Sequence, residues 1–473
     1  MQTLKRILAG TFAVTMAFGA AACGSSSTDD SSEYEQQVEV EDTDVIEAIP
    51  EGAESELLWL SYFDLNPASG SEEKSTELEL FEKKGGTITY EQTTSMTKFD
   101  TLAERVLAND VPDMFWYEAS MCYPSYCIKG MFQPIDSIVD FEDDLWADVA
   151  ETAEQFTLKG EHYVAPITYV ANSVLTYDKD VIEANALDDP YELYLEGEWD
   201  WDAWYDMMED YVNNAEGDEI RYGVNGWFQD FIFYSTGETI VEYDEENDEY
   251  VNNITNANFD RASTLLYNIQ KNGLYLSEWI GQTSDCFKEN CLFYAMGPWA
   301  SSTTHTPDED DNWGMVPMPR DPEADAAYIT VETDAYLWIA GSTKSEAMKC
   351  WLECAKLANT DESYKEVAKE KFFVTNPYWT EDMYQVAYEE YMSDNWVRIV
   401  DPGFGISNTL SNDNAATNDT KEAVISYLYA AVMYTDEDGS QYTWTQLRES
   451  YTSTIDSELA DFNEEYHEFI NSD

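Results

Sequence analysis

Apolar and polar positions along this chain recur with two periods, and the switch between them marks out its elements. Glu56-Leu57-Leu58-Trp59-Leu60-Ser61-Tyr62-Phe63 is a short apolar run, as expected of a strand covered on both faces, and it passes into a loop. Residues 72–84 read as a helix stopped by Gly85-Gly86, and Thr87-Ile88-Thr89-Tyr90 as a second strand. Phe99, Leu102, Ala103, Val106 and Leu107 fall at i, i+3, i+4, i+7 and i+8, the inner face of another helix, which Asn109-Asp110-Val111-Pro112 ends. Strand and helix in alternation imply a mainly parallel sheet with both faces covered. In such sheets ligands bind beyond the carboxyl ends of the strands, so the loops after Leu60 and Met114 come first as candidate sites.

Later segments extend the pattern. Trp199-Asp200-Trp201-Asp202 opens a helix with Asp200 as N-cap, and Trp201, Trp204, Tyr205, Met208 and Val212 form one stripe. Such spacing makes the stripe core rather than a platform for a sugar. Ile240-Val241-Glu242-Tyr243 and Glu249-Tyr250-Val251 flank the polar turn 244–248 and predict a hairpin, while Thr343-Lys344-Ser345-Glu346 reads as a capping box.

The first residues break with this pattern. Lys5 and Arg6 precede an apolar run from Ile7 to Ala22 of 16 residues, shorter than the roughly 20 a spanning helix needs, so residues 1–22 read as a secretion signal. Gly19-Ala20-Ala21-Ala22-Cys23 resembles the lipobox of bacterial lipoproteins, with Ala20 where Leu is usual, and implies cleavage before a lipidated Cys23. Residues 24–56 hold 12 acidic residues and no Lys or Arg, which predicts a self-repelling tether over 23–56 and a folded body from about Leu57.

Composition then narrows the partners. Of 473 residues, 24 are Lys or Arg and 96 Asp or Glu, and a formal net charge of −72 would repel a nucleic acid. Hydrophobic residues at 44% and aromatics at 14% exclude a disordered acidic chain, and the length suits two or three domains. Cys122 with Cys127 and Cys286 with Cys291 have spacings suited to short-loop disulfides in an oxidising exterior, whereas Cys350 and Cys354 follow helical spacing and read as buried thiols. With three histidines (His162, His305, His467) and these spacings, no zinc site is expected, nor any cofactor.

The order of segments resembles the extracellular solute-binding proteins of ABC importers, in the large group of sugar and oligosaccharide binders. The resemblance rests on ELLWLSYFD, LELFEKKGGTITYEQ, FDTLAERVLANDVPDMFW, GEWDWDAWYDMM, CLFYAMGPWA, WGMVPMPRDP and YLWIAGSTKSEAMKCWLECAKLA, which run in order between about Leu57 and Ala358. Residues 331–334 (Val-Glu-Thr-Asp) depart from the Gly-rich stretch usual there.

It implies a two-lobed α/β fold of the periplasmic-binding-protein type II, closing on a ligand by a hinge motion. The implied lobes are 57–166 with about 297–345, and 167–296 with about 346–473. It also implies a monomeric, non-enzymatic lipoprotein, anchored outside the cell, that passes a small-molecule solute to ABC permease subunits.

Carried over position by position, the cleft would be lined by Tyr62, Asp64, Trp116, Glu118, Tyr169, Trp227, Gln229, Trp299, Asp334 and Tyr336. Such a set pairs flat apolar area for a sugar's C–H face with groups that bond hydroxyls. Two rivals stand beside this expectation: a binder of polyamines or other cationic solutes on the same fold, which the acidity would suit, and a secreted glycoside hydrolase with two carboxylates in catalytic register.

Overall fold

The computed structural model describes residues 40–472, apart from 68–73, 303, 304, 306, 308–310, 412–422 and 436–438. The signal segment and Cys23 therefore lie outside the described residues. From the N-terminus the elements that matter here are β1 (Glu56–Ser61), α1 (Thr76–Lys83), β2 (Thr87–Gln92), α2 (Lys98–Leu107), β3 (Met114–Trp116), β4 (Phe132–Gln133), β5 (Val164–Val170) and β6 (Val174–Asp178). Then come α3 (Trp201–Asn213), β7 (Tyr222–Gly226), α4 (Gln229–Tyr234), β8 (Val241–Asp244), β9 (Glu249–Asn252), α5 (Asn258–Lys271), α6 (Thr283–Lys288), β10 (Cys291–Met296) and β11 (Trp313–Val316). The last third holds β12 (Tyr328–Thr330), β13 (Glu332–Ile339), α7 (Ser345–Thr360), α8 (Glu362–Thr375), β14 (Val397–Ile399), α9 (Val424–Ala431) and α10 (Trp444–Ile470).

Two sheets organise these elements. The first has the order β2-β1-β3-β13-β4, with β5 also paired to β13. Its β1, β2 and β3 run parallel, as strand-helix alternation requires, while β13 is antiparallel to β3, β4 and β5. The second has the order β11-β6-β10-β7, in which β7 and β10 are parallel and β6 runs against β10 and β11. The predicted hairpin is β8–β9.

Helix α3 begins where Asp200 accepts from the amides of Asp202 and Ala203, and it buries Trp201, Trp204 and Met208. Tyr205 and Val212 lie at the margin of that face, and Met207 and Tyr211 complete it.

Several expectations shift. The tether ends earlier than Leu57, because Val40 and Ile46 are buried in the core beneath α1 and α7. Lys84 pairs with Asp42 at 2.8 Å, and the Tyr364 hydroxyl donates to the Glu41 carbonyl at 2.9 Å. Two apolar side chains and these bonds suffice to dock a segment that its charge alone would keep in solvent.

The lobe boundaries move as well. Strand β11 joins the second sheet and β13 the first, so the return crossing falls between Val316 and Glu332 rather than near 297. Helix α7 packs on α1 and β5, in the first lobe, through Ala347, Trp351, Leu352 and Ala355. It has no side-chain N-cap bond. Instead of a capping box, Lys344 reaches Asp113 at 2.7 Å, and the same carboxylate accepts from Leu58 N and Ser342 Oγ at 2.7 Å each. One buried charge thereby ties the start of β1 to the starts of β3 and α7.

Candidate functional site

Strand direction decides which edge of each sheet can hold a site. Strands β1 and β3 end at Ser61 and Trp116; β13 runs the other way and begins at the same edge with Glu332, and β5 ends there at Val170. In the second sheet β7 and β10 end at Gly226 and Met296, β6 begins at Val174 and β11 ends at Val316, again at one edge. Only Ala171, Asn172 and Ser173 separate β5 from β6. The ligand-competent edges of the two sheets therefore adjoin the same crossing, which is where a ligand would be gripped from both sides.

The wall on the first sheet combines aromatic rings and carboxylates. Trp116 donates its indole N–H to Asp334 Oδ1 at 2.8 Å, spanning β3 and β13. Phe63 stands edge-on to Trp116 with ring centroids 5.1 Å apart, and Tyr62 meets Phe63 at 5.4 Å. Trp59 Nε1 donates to the Phe63 carbonyl at 2.9 Å and fixes the loop after β1.

Lys98, at the start of α2 and only 2% exposed, ion-pairs with Glu118 and lies 5.4 Å from the Tyr62 ring. Burial pushes Asp334 up to about 6 against the opposing Trp116 bond. Burial first, and then the negative charges of Asp334 and Glu118, push Glu332 up to about 8. Glu77, on the first turn of α1, is likewise raised by burial.

The wall on the second sheet is a tryptophan platform. Trp227 lies 5.3 Å from Trp279 and 6.3 Å from Trp299 between ring centroids. Gly226 makes the first placement possible: its φ is +104°, and a Cβ there would stand 2.0 Å from the Ala295 carbonyl oxygen. Trp227 N donates to that carbonyl at 2.7 Å. Asn225 Nδ2 donates to the Leu276 and Glu278 carbonyls at 2.6 and 2.7 Å and holds the loop that carries Trp279. Leu276, Ile280, Cys286, Cys291, Tyr294, Met296 and Ala300 form a small apolar core behind the platform. Trp279 remains 56% exposed.

Sequence-predicted residues fall into three groups. Tyr62, Trp116, Glu118 and Asp334 meet on the first wall, and Trp227 and Trp299 on the second. Asp64 and Gln229 reach the right loops but turn back: Asp64 Oδ1 accepts from Asn66 N at 2.9 Å, and Gln229 Oε1 accepts from Phe228 N at 3.3 Å.

Tyr169 and Tyr336 are core. Tyr169 is 2% exposed, donates to Thr152 Oγ1 at 2.6 Å and carries the Arg398 guanidinium 4.7 Å above its ring. Tyr336 lies two residues inside the edge, where Trp59 and Trp351 cover it at 5.8 and 5.7 Å. Trp279, Lys98 and Glu77 were missed; the available signal for Trp279 was a large aromatic in the polar stretch Ser277-Glu278 with no periodicity to bury it.

All six described cysteines are buried thiols rather than disulfides. Cys127 Sγ donates to the Cys122 carbonyl at 3.3 Å and Cys291 Sγ to the Phe293 carbonyl at 3.3 Å, which engages sulfurs that a disulfide would need.

The chain matches the family model described as bacterial extracellular solute-binding protein over residues 79–381. A search of curated proteins returns no match. Among solved structures it is similar to the sugar-binding protein MalE from Xanthomonas citri, with 14% identity, a TM-score of 0.61, and 86% of this chain and 98% of that one covered. It is also similar to an ABC substrate-binding protein from Listeria monocytogenes in complex with cycloalternan (14% identity, TM-score 0.58, 86% and 99% covered). A third is the galacto-N-biose/lacto-N-biose I-binding protein of the ABC transporter from Bifidobacterium longum (11%, 0.58, 88% and 99%). At these identities the likeness establishes the two-lobed fold.

Proposed function

The chain belongs to the bacterial extracellular solute-binding proteins, and from that premise we propose that it captures a sugar or oligosaccharide between its lobes for an ABC importer. The observation that carries this reading is the clustered platform of Trp227, Trp279 and Trp299, opposite a wall of hydroxyl-bonding carboxylates beside Tyr62 and Trp116. Tryptophan faces offer flat apolar area to the C–H face of a sugar ring, and the carboxylates accept from its hydroxyls. The solved relatives named for sugars share this architecture.

Hinge closure over residues 171–173 and the β12–β14 ribbon brings the walls together. The solute then passes unaltered to permease subunits, so the chain acts as a receptor and not as an enzyme. Cleavage before Cys23 and lipidation of its thiol hold the monomeric protein on the outer face of the membrane. Among the described residues no helix is long and apolar enough to cross it. Cys23→Ala would accordingly release the chain into the medium, and retention of that variant on cells would contradict the anchor.

Thermal-shift screening of the purified chain against an oligosaccharide panel tests the central reading. A solute at 100 times its Kd adds about 2.7 kcal/mol of stability, well within detection. Stabilisation by at least one carbohydrate without release of reducing sugar is expected. Accumulating reducing ends would make the chain a hydrolase, and a panel without any stabilising carbohydrate would remove the sugar assignment.

A further inference from the structure

The first wall carries more negative charge than hydroxyl recognition requires. Glu77, Glu118, Glu332 and Asp334 converge from α1, the end of β3 and the start of β13; Lys98 answers Glu118, and the Trp116 indole answers one oxygen of Asp334. Glu332 is largely enclosed by protein, yet its carboxylate has no hydrogen-bond donor and no cationic partner among the described residues. An enclosed carboxylate without a partner is unfavourable as an anion. It is matched only by a proton or by a cation brought in from outside. The rings of Tyr62 and Trp116 border the same place, and an ammonium group is attracted to aromatic faces as well as to carboxylates.

We propose that the solute is an amino sugar, whose protonated amine is received by Glu332, Asp334 and Glu118 while its ring lies on Trp227, Trp279 and Trp299. The proposal rests on the carbohydrate reading and refines its substrate class. The Trp platform asks for a ring with an apolar face, and the opposite wall asks for a positive charge; a neutral sugar meets the first demand alone and a linear polyamine the second alone.

A further consequence distinguishes charge recognition from ordinary hydroxyl bonding. With Glu332 raised to about 8 and Asp334 to about 6, and with Glu77, Glu118 and Lys98 as the charged neighbours, the wall without solute holds protons at neutral pH. An arriving ammonium favours the ionised carboxylates and displaces them, so binding releases protons to the buffer. An uncharged sugar has no such requirement.

Titration calorimetry of the full chain at about pH 6.5, where sugar amines are cationic, provides the test. The probes are glucosamine oligosaccharides of two to six rings, their N-acetylated counterparts, neutral glucose oligosaccharides and spermidine. The expected result is at least tenfold tighter binding of the glucosamine form than of its N-acetylated counterpart. Its apparent heat should change between buffers of different ionisation enthalpy, and Glu332→Gln, which keeps the side chain's shape, should shrink the preference.

Equal or tighter binding of the acetylated or neutral sugars overturns the amine assignment and leaves the carbohydrate reading intact. Binding of spermidine with no sugar bound overturns both. The wild-type comparison alone decides, so a variant that fails to fold does not obscure the outcome.

Discussion

A tryptophan can serve as a binding surface or as core, and exposure separates the two roles within this site. Trp279 is 56% exposed and touches Trp227, whereas Tyr336, at the opposite wall, is covered by Trp59 and Trp351. Trp279→Ala should weaken carbohydrate binding at least tenfold and leave the melting temperature of the ligand-free protein within a few degrees. Tyr336→Ala should cost about 3–5 kcal/mol of stability, because it opens a cavity between β13 and α7. Denaturant unfolding and titration of both variants check the contrast; a large stability loss in Trp279→Ala would make that side chain core.

The same distinction limits what the sequence could disclose at single positions. Trp116 and Asp334 were legible because both stand at strand ends. Tyr169 and Tyr336 lie inward of the edge or under a neighbouring cation, and nothing in a linear string shows what covers a side chain from elsewhere. Lys98 was hidden for the converse reason: a helical lysine is ordinarily solvated, and only the fold sets Glu118 beside it.

At the scale of elements, local periodicity determined most of what could be read. The runs at 56–63 and 87–90, the helix with Phe99 and Leu102, the Asp200 cap and the β8–β9 hairpin all follow from patterns within a dozen residues. Features set by distant partners did not. The segment before helix α7 has the residue types of a capping box, but Lys344 is drawn instead to Asp113, 231 positions away. The antiparallel strand β13 returns to the first sheet after β11 has joined the second, a choice no local pattern records.

Gly226 is the element-level feature on which the Trp platform depends. Its positive φ and the closeness of the Ala295 carbonyl leave no room for a side chain between β7 and β10. Gly226→Ala should therefore destabilise the second lobe by a few kcal/mol and displace Trp227, with loss of carbohydrate binding. Chemical denaturation together with Trp fluorescence of the ligand-free protein checks this. Unchanged stability and affinity would show that β7 accommodates the methyl group and that Trp227 does not depend on the glycine.

For the whole molecule, the charge of −72 and several buried carboxylates act in one direction. Burial raises Asp230, Asp334 and Asp401 to about 6, Glu242 to about 7 and Glu332 to about 8. Asp401 accepts from the Tyr234 and Tyr429 hydroxyls at 3.0 and 2.8 Å, which reduces the penalty of its burial without removing it. Each of these groups holds its proton more tightly folded than unfolded, so its contribution is fully present below the unfolded value near 4 and is lost as pH rises through the folded value. Self-repulsion of the surface grows over the same interval. Melting temperature should thus be highest near about pH 5 and fall toward pH 8, with added salt recovering part of the loss. A melting temperature that rises across that range would contradict the assignment of these groups.

Overall charge thus informs stability more than ligand choice, which the local charge at the cleft governs. The central claim is that a carbohydrate is held between the Trp platform and the carboxylate wall. Equilibrium titration of the purified chain with the carbohydrate that best stabilises it, in wild-type and Trp227→Ala forms, tests this most directly. The account predicts one saturable site with a free energy of about 8 kcal/mol or more, corresponding to micromolar affinity, and at least tenfold weaker binding in the variant. Saturable binding of equal strength in both forms would place the solute elsewhere and contradict it.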